Sequence, residues 1–214
     1  MELKYGDSLA VVYYFQNRAL EIPAGAGRGR WYYGYQQWPW AIFGGRSGAQ
    51  VTDPDSFYSS YDAQITRCRA DSTPIEMWLD STGTVVAPPN VRVRVVVNPT
   101  DSVVNSMRNL ALVAVVYEDS VPYEQLPGDT VHVRFVARAV VGDTWGIPLS
   151  LRLGQEFDTT LAVTLGQWRT GYLGVAAFVQ DTANKEVLQA VVRRRIANSE
   201  TVKGQEAGPS GGVQ

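Results

Sequence analysis

The side chains that most often perform catalysis or bind metals are scarce in this chain. Its 214 residues include one cysteine, Cys68, and one histidine, His132. A disulfide or a Cys-x-x-Cys redox centre needs two cysteines, and a Cys/His zinc site needs several such ligands, so the chain alone can form none of them. A Ser-His-Asp triad would need His132, which lies in TVHVRFVARAVV, a pattern typical of a strand rather than a catalytic loop. We therefore expect a surface histidine, no catalytic residue, no metal and no cofactor.

The densest group of possible ligand contacts is WYYGYQQWPWAIFGG, residues 31–45, in which seven aromatic rings occupy thirteen positions. Rings at this density can stack on sugars or bases. The candidate ligand or partner contacts are Arg30, Trp31, Tyr33, Tyr35, Trp38 and Trp40. However, Gly34 and Pro39 turn the backbone, so the rings cannot all share one face, and Trp and Tyr are often half-buried with a polar end at the surface. We favour packing in the core and at its rim, with a carbohydrate-binding module as an alternative.

Charge and hydropathy exclude further partner classes. The formal net charge is −2 and charged residues make up 19% of the chain, which gives no electrostatic reason to expect nucleic acid or an anionic membrane as partner. Every apolar stretch is interrupted by Arg, Asp, Gly or Pro before it is long enough to span a bilayer. The first residues, MELKYGDS, lack the pattern of a signal peptide. We therefore expect either a cytosolic protein or the mature form or a fragment of an exported one.

The first third of the chain mixes helix and strand patterns. SLAVVYYF, residues 8–15, is typical of a buried strand, and IEMWL, residues 75–79, of a strand with alternate residues inward. Between them, Pro54 in DPDSFYSSYDAQITRCRA marks the start of a helix. Phe57, Tyr61, Ile65 and Cys68 fall on one stripe of that helix. We therefore expect Cys68 to be buried and unreactive.

From about residue 90 to 197 the pattern is that of an antiparallel β-sandwich. Short alternating strands such as VRVRVVV and EFDTTLAVTL are separated by turn residues, and TANK is a plausible hairpin turn. LALVAVVYED is continuously apolar and must be covered on both faces. Arg92, Arg94, Arg134 and Arg138 are expected to point outward, as on an ordinary solvent-facing sheet; a cationic face for an anionic partner is the alternative. The last residues, 198–214, have the composition of a flexible or extended tail.

The order of these segments resembles a known family. RWYYGYQQWPWAIFGG looks like the helix end, proline and following strand of a thioredoxin-like domain, in which the Trp38–Pro39 bond would be cis. Together with LVAVVYED, VARAVVGDTWGIPL and TGYLGVAAFVQDTANKEVLQA, it makes residues 5–196 similar to the Omp28-related family, predicted outer-membrane or secreted proteins of Bacteroidetes-like bacteria. The resemblance implies an α+β protein: a thioredoxin-like α/β unit over residues 1–85, an Ig-like β-sandwich over 90–197, and the tail.

The departure from the family pattern shapes the functional expectation. The first strand of the thioredoxin-like sheet and the Cys-x-x-Cys segment have no counterpart here, so a remnant of a thiol-disulfide oxidoreductase is the weaker alternative. A sheet without an interior strand exposes unpaired backbone groups, which a strand from another copy could satisfy. We expect a non-enzymatic extracellular or cell-surface structural or interaction protein. Its partners would be further copies of itself, in an oligomer or filament, or other surface proteins.

Overall fold

The computed structural model describes residues 2–15, 19–32, 34, 41–49, 54–80 and 82–196. Within them the chain is an α+β protein, as predicted. Its α-helices are α1 (Glu2–Tyr5), α2 (Pro23–Gly27) and α3 (Pro54–Ala70), and a π-helical turn spans Arg28–Tyr32. Its strands are β1 (Ala41–Phe43), β2 (Ser47–Ala49), β3 (Ile75–Leu79), β4 (Val85–Ala87), β5 (Asn90–Pro99), β6 (Leu110–Glu118), β7 (Val121–Leu126), β8 (Asp129–Val133), β9 (Val136–Val141), β10 (Ile147–Leu149), β11 (Phe157–Thr164), β12 (Leu173–Asp181) and β13 (Val187–Arg193). Short 3₁₀ turns lie at Gly6–Ser8, Ser102–Ser106, Asp143–Trp145 and Thr170–Tyr172.

Two antiparallel sheets form the predicted β-sandwich. In the first sheet, β6 lies between β12 on one side and β9 and β10 on the other, and β13 pairs with β12. In the second, β5 lies between β11 and the pair β3 and β4. Side chains of both sheets form one apolar core that includes Val93, Val95 and Leu112, each with no exposed surface. Burial of this apolar area is the main source of the fold's stability.

Strand β6 is buried along its whole length, because each of its faces has a cover. Leu112 and Val116 point into the sandwich core, whereas Val113 and Val115 point to the opposite side of the sheet. There they pack against the segment before α2, including Val12 and Tyr14. The prediction that LALVAVVYED is covered on both faces is therefore correct.

The segment 8–15, predicted as a buried strand, is a different element in the structure. After Ser8, which belongs to a 3₁₀ turn, residues 9–15 are half-buried over most of their length. Among the described residues they join β9 through one parallel bridge, between Tyr13 and Val136. Two backbone hydrogen bonds of Tyr13, to Phe135 and from Ala137, make this bridge. Apolar periodicity is the same for a paired strand and for an extended segment that covers a sheet, which is why the sequence pattern was misleading.

Helix α3 packs on the hairpin of β1 and β2. The rings of Phe43 and Tyr61 meet edge to face, with 5.1 Å between their centres. Tyr5 of α1 donates a hydrogen bond of 2.6 Å to the carboxylate of Asp62 on α3. Ile65 is buried, but Phe57 at the start of the predicted stripe is 44% exposed. IEMWL alternates as predicted, yet it pairs with β5 of the sandwich rather than with the preceding hairpin. The division into domains at residues 85–90 stays a prediction, and the tail lies outside the described residues.

TVHVRFVARAVV forms two strands instead of one. Phe135 has a φ of +54°, a conformation that does not occur within a regular strand, so the strand is interrupted between β8 and β9. As a result β8 pairs with β7 in a separate two-stranded ribbon, while β9 joins the first sandwich sheet. Residues Val121–Val133 therefore form a hairpin that extends from the sandwich beside the end of β6.

Candidate binding groove

The aromatic segment proposed as a ligand platform is mostly outside the described residues. Arg30 and Trp31 lie in the π-helical turn, where Arg30 is exposed. Tyr33, Tyr35, Trp38 and Trp40, with the proposed cis bond before Pro39, fall outside the described part of the chain, so the platform stays a prediction.

Arg28, next to this segment, is a buried structural residue. It is 1% exposed and donates to the Thr144 carbonyl at 2.7 Å and to Gln180 Oε1 at 2.6 Å. Its guanidinium also lies 5.0 Å from the ring centre of Tyr32 and 5.4 Å from that of Phe178. A buried arginine with such partners fixes the chain rather than offering its charge to a ligand.

Cys68, predicted to be buried, is half-buried on α3, where its side chain lies against the β1–β2 turn at Gly44. Burial, with a smaller contribution from the carboxylate of Asp71, raises the pKa of its thiol. The thiolate is the reactive form of cysteine, so this environment makes the thiol less reactive at neutral pH.

A groove of about 510 Å³ lies between the β7–β8 hairpin and the ends of β6 and β9. Its floor holds three charged residues that come together from distant positions: Glu118 ends β6, Arg138 lies in β9, and Arg169 precedes a 3₁₀ turn. Its remaining wall residues are Ala19, Leu20, Val121, Pro122, Tyr123, Glu124 and Gln167. We call this feature the arginine groove.

Glu118 is the centre of the arginine groove. It is 2% exposed, and both of its carboxylate oxygens accept hydrogen bonds from guanidiniums. Oε2 accepts from Arg138 Nε at 2.9 Å and lies 2.8 Å from its Nη2, while Oε1 accepts from Arg169 Nε at 2.7 Å. A buried carboxylate is costly unless it is paired in this way.

Both arginines are held in place but keep unused donors. Arg169 Nη2 donates to the carbonyls of Asp119 at 2.9 Å and Ser120 at 2.6 Å, and its guanidinium lies 4.3 Å from the ring centre of Tyr172. In the part of the chain that the structure describes, Nη1 of Arg138 and Nη1 of Arg169 have no hydrogen-bond partner. The side chain of Arg138 is 16% exposed and that of Arg169 is 40% exposed, so both guanidiniums are in partial contact with solvent.

The other arginines predicted to face outward are mostly neutralised by carboxylates. Arg94 pairs with Asp80 and, at 2.8 Å, with Asp158, and Arg134 pairs with Asp119 at 2.7 Å. Arg138, predicted to be outward, is instead largely covered, with 16% of its side chain exposed, because Glu118 holds it. These pairs speak against a broad cationic face.

Sequence reasoning missed the groove, although one signal was present. Glu118 follows eight residues of a strand that is buried on both faces, so its carboxylate had to be buried and required cationic partners. Arg169 could not be identified as one of them, because it is 51 residues away and in a loop. His132, the other group considered for chemistry, is exposed on β8.

Comparisons with known proteins give a fold and no family. No protein-family model and no curated protein matches the chain. Among solved structures, HBP35 of Porphyromonas gingivalis matches with a TM-score of 0.55 and 16% identity over 71% of this chain and 51% of its own, so the match spans about half of HBP35. Protein AGR_C_4864 from Agrobacterium tumefaciens matches with a TM-score of 0.52 and 13% identity, over 87% of this chain and 76% of its own.

A domain of the outer membrane lipoprotein Omp28 from Porphyromonas gingivalis also matches, at 18% identity over 60% of this chain and 95% of that domain, with a TM-score of 0.39. At these identities the likeness to HBP35 and AGR_C_4864 concerns the fold alone. The chain is thus an α+β protein built around an antiparallel β-sandwich, a fold it shares with HBP35. Its function has to be argued from its own side chains.

Proposed function

We propose that the chain is a non-enzymatic extracellular or cell-surface interaction protein, which contacts its partner at the arginine groove. The observation that carries the proposal is the state of Glu118, both of whose oxygens are engaged by guanidiniums. A general base must have an oxygen available for the proton it removes. The groove therefore presents fixed cationic donors beside an apolar wall, which suits recognition rather than proton transfer.

The surface location rests on the resemblance of the sequence to the Omp28-related family. No helix in the described ranges is long and apolar enough to cross a bilayer. Surface location and groove contact can be tested together on intact cells of the source organism. We would place a photo-crosslinking amino acid at Tyr123 in the groove wall and, as a matched control, at Trp78, which is 40% exposed on β3.

The expected result is a discrete crosslinked product from position 123, absent from position 78, and removed by a protease added outside the cells. Two outcomes would contradict the proposal. The protein could resist external protease in intact cells and be digested only after lysis, or crosslinking could be equal at the two positions.

Self-association by strand addition is a second candidate. Strand β11 pairs with β5 on one side, and in the described part of the chain no strand pairs with its other side. Such edges accept further strands unless charges or distortions block them. The half-buried segment 9–15, joined to β9 only by the bridge at Tyr13 among described residues, is a second place where a strand could be added.

Light scattering across concentration, with and without residues 197–214, tests this candidate. Thr159→Lys would place a charge on the half-buried face of β11 and should dissociate an assembly formed at this edge, whereas Thr160→Lys on the exposed face is the control. A monodisperse monomer for every form at high concentration would exclude self-association.

A further inference from the structure

We propose that the arginine groove binds an organic monocarboxylate with an apolar body. This inference rests on the proposed function, because it names the class of ligand for the same groove. It depends on three features of the described residues: the unused arginine donors, the local charge, and the chemistry of the walls.

The first feature is the pair of partly exposed guanidiniums of Arg138 and Arg169, whose Nη1 atoms donate no hydrogen bond within the described residues. Guanidinium N–H groups bind carboxylates through short, charge-assisted hydrogen bonds. Each guanidinium is already oriented by Glu118, and Arg169 is held further by two backbone carbonyls. Binding therefore does not require these two side chains to be ordered anew, which favours affinity.

The second feature is the charge on the groove floor. On the groove floor, the guanidiniums of Arg138 and Arg169 and the carboxylate of Glu118 leave one positive charge, since 2 − 1 = 1. The carboxylate of Glu124, which also lines the groove, brings the charge of the lining as a whole to zero. A monoanion placed at the two arginines neutralises the charge of the floor, whereas a phosphate dianion would exceed it. The exposed carboxylate of Glu124 repels an anion in the groove, and this repulsion increases with the ligand's charge. The balance favours a carboxylate over a phosphate.

The third feature is the wall formed by Leu20, Val121 and Tyr123. Leu20 and Val121 belong to a small apolar cluster, against which Tyr123 packs. The groove volume of about 510 Å³ lies within the roughly 300–1,000 Å³ typical of small-molecule sites. An aliphatic or aromatic group attached to the carboxylate would lie against this wall.

A titration followed by ¹H–¹⁵N NMR tests the inference on the full chain. The probes are N-acetyl-L-leucine, its amide N-acetyl-L-leucinamide, inorganic phosphate, and an N-acetylated tripeptide with a free C-terminal leucine. We expect saturable shifts of the arginine Nε–H signals and of the Tyr123 amide with the two carboxylates. The amide should bind at least about tenfold more weakly, because it has only one acceptor oxygen and no negative charge to strengthen the hydrogen bonds from the guanidiniums. If the tripeptide binds more tightly than N-acetyl-L-leucine, the natural ligand is the C-terminus of a polypeptide. If N-acetyl-L-leucine binds more tightly, the natural ligand is a small organic acid. Both results support a monocarboxylate as the class of ligand.

Substitutions make the test specific to the groove. Arg138→Lys keeps the charge but loses the planar donor fork, and should weaken binding of N-acetyl-L-leucine about tenfold. The matched control is Arg134→Lys, because Arg134 also pairs with a carboxylate but does not line the groove. Glu124→Gln changes an exposed residue with little risk to folding, and should tighten binding about two- to threefold by removing a repulsion.

Several results would overturn the inference: phosphate binding as tightly as the carboxylate, the amide binding equally well, or Arg138→Lys and Glu124→Gln both behaving like Arg134→Lys. The absence of shifts with every probe, combined with a persistent crosslink at Tyr123, would refute the carboxylate while leaving the proposed function in place. Specific carboxylate binding without any crosslink on cells would refute the proposed function while leaving the carboxylate inference in place.

Discussion

Replacing Glu118 by glutamine should destabilise the fold more than any surface substitution near the groove. The change keeps the shape of the side chain and removes its charge, and it places amide N–H groups against guanidiniums. In the wild type, Arg138 and Arg169 share the buried carboxylate of Glu118, and in the variant both would lose their anionic partner. The same substitution leaves the apolar core between the sheets untouched, so the measured loss reports on the ion pairs.

The magnitude follows from how well water can reach the two arginines. Removing one partner of a buried ion pair typically costs about 3–5 kcal/mol. The Arg169 side chain is 40% exposed and can be rehydrated, whereas that of Arg138 is 16% exposed and much less so. We therefore expect the lower end of that range, about 3 kcal/mol. For a domain of this size such a loss lowers Tm by roughly 6–12 °C.

Urea unfolding and thermal unfolding, both followed by circular dichroism, measure this effect. The matched control is Arg134→Gln, which breaks the half-exposed pair with Asp119 and should cost less than about 1 kcal/mol. The double replacement Glu118→Leu/Arg138→Met, which removes the two most buried charges of the groove together, should recover much of the loss. A Glu118→Gln protein within about 0.5 kcal/mol of the wild type would refute the reasoning, because it would mean that water already solvates the three groups.

Three further predictions concern other parts of the molecule. Gly45 has a φ of +74°, and an added Cβ would lie 1.8 Å from the Lys185 carbonyl oxygen. Gly45→Ala should therefore lower the free energy of unfolding by about 2–4 kcal/mol and speed amide exchange in the β12–β13 turn. Unchanged exchange would contradict this prediction. The hydrogen bond from Arg134 holds the pKa of Asp119 below its usual range. The pair therefore stabilises the fold at pH values above the pKa of an ordinary aspartate, and this contribution is lost as the pH falls through the lower pKa of Asp119 in the folded protein. Tm measured from pH 6 to pH 2 should therefore fall less steeply in Arg134→Gln than in the wild type, and parallel curves would count against the assignment. In an insulin-reduction assay with dithiothreitol the chain should match the buffer control, and turnover that Cys68→Ser abolishes would show the thiol to be active.

The sandwich could be predicted from the sequence because its strands follow simple rules. In β11, the alternation of EFDTTLAVTL predicts that Phe157, Thr159, Leu161 and Val163 share one face. These residues are the half-buried ones, and their neighbours along the strand are exposed. The predicted strand over residues 8–15 was wrong because its apolar residues cover β6 from outside instead of pairing within a sheet. Periodicity reports which side chains are buried, but not which element buries them.

The groove was harder to predict because its three charged residues meet only through the topology. Glu118 and Arg138 become neighbours when β6 pairs with β9, and Arg169 reaches them from a loop. The break at Phe135, where one predicted strand becomes two, was also invisible in a continuous alternation. Sequence patterns describe single strands well, whereas this site depends on the order of strands in a sheet.

The break at Phe135 has a consequence for how the protein can evolve. It separates the charged floor of the groove, which belongs to the sandwich, from the β7–β8 hairpin, which provides much of the apolar wall and pairs within itself. Related chains could therefore change the length of the hairpin, or replace its exposed residues Pro122 and Glu124, without altering the pairing of a sandwich strand. Such a division between a charged floor in the sandwich and a wall that pairs within itself would let one scaffold diversify its partners while its core is retained.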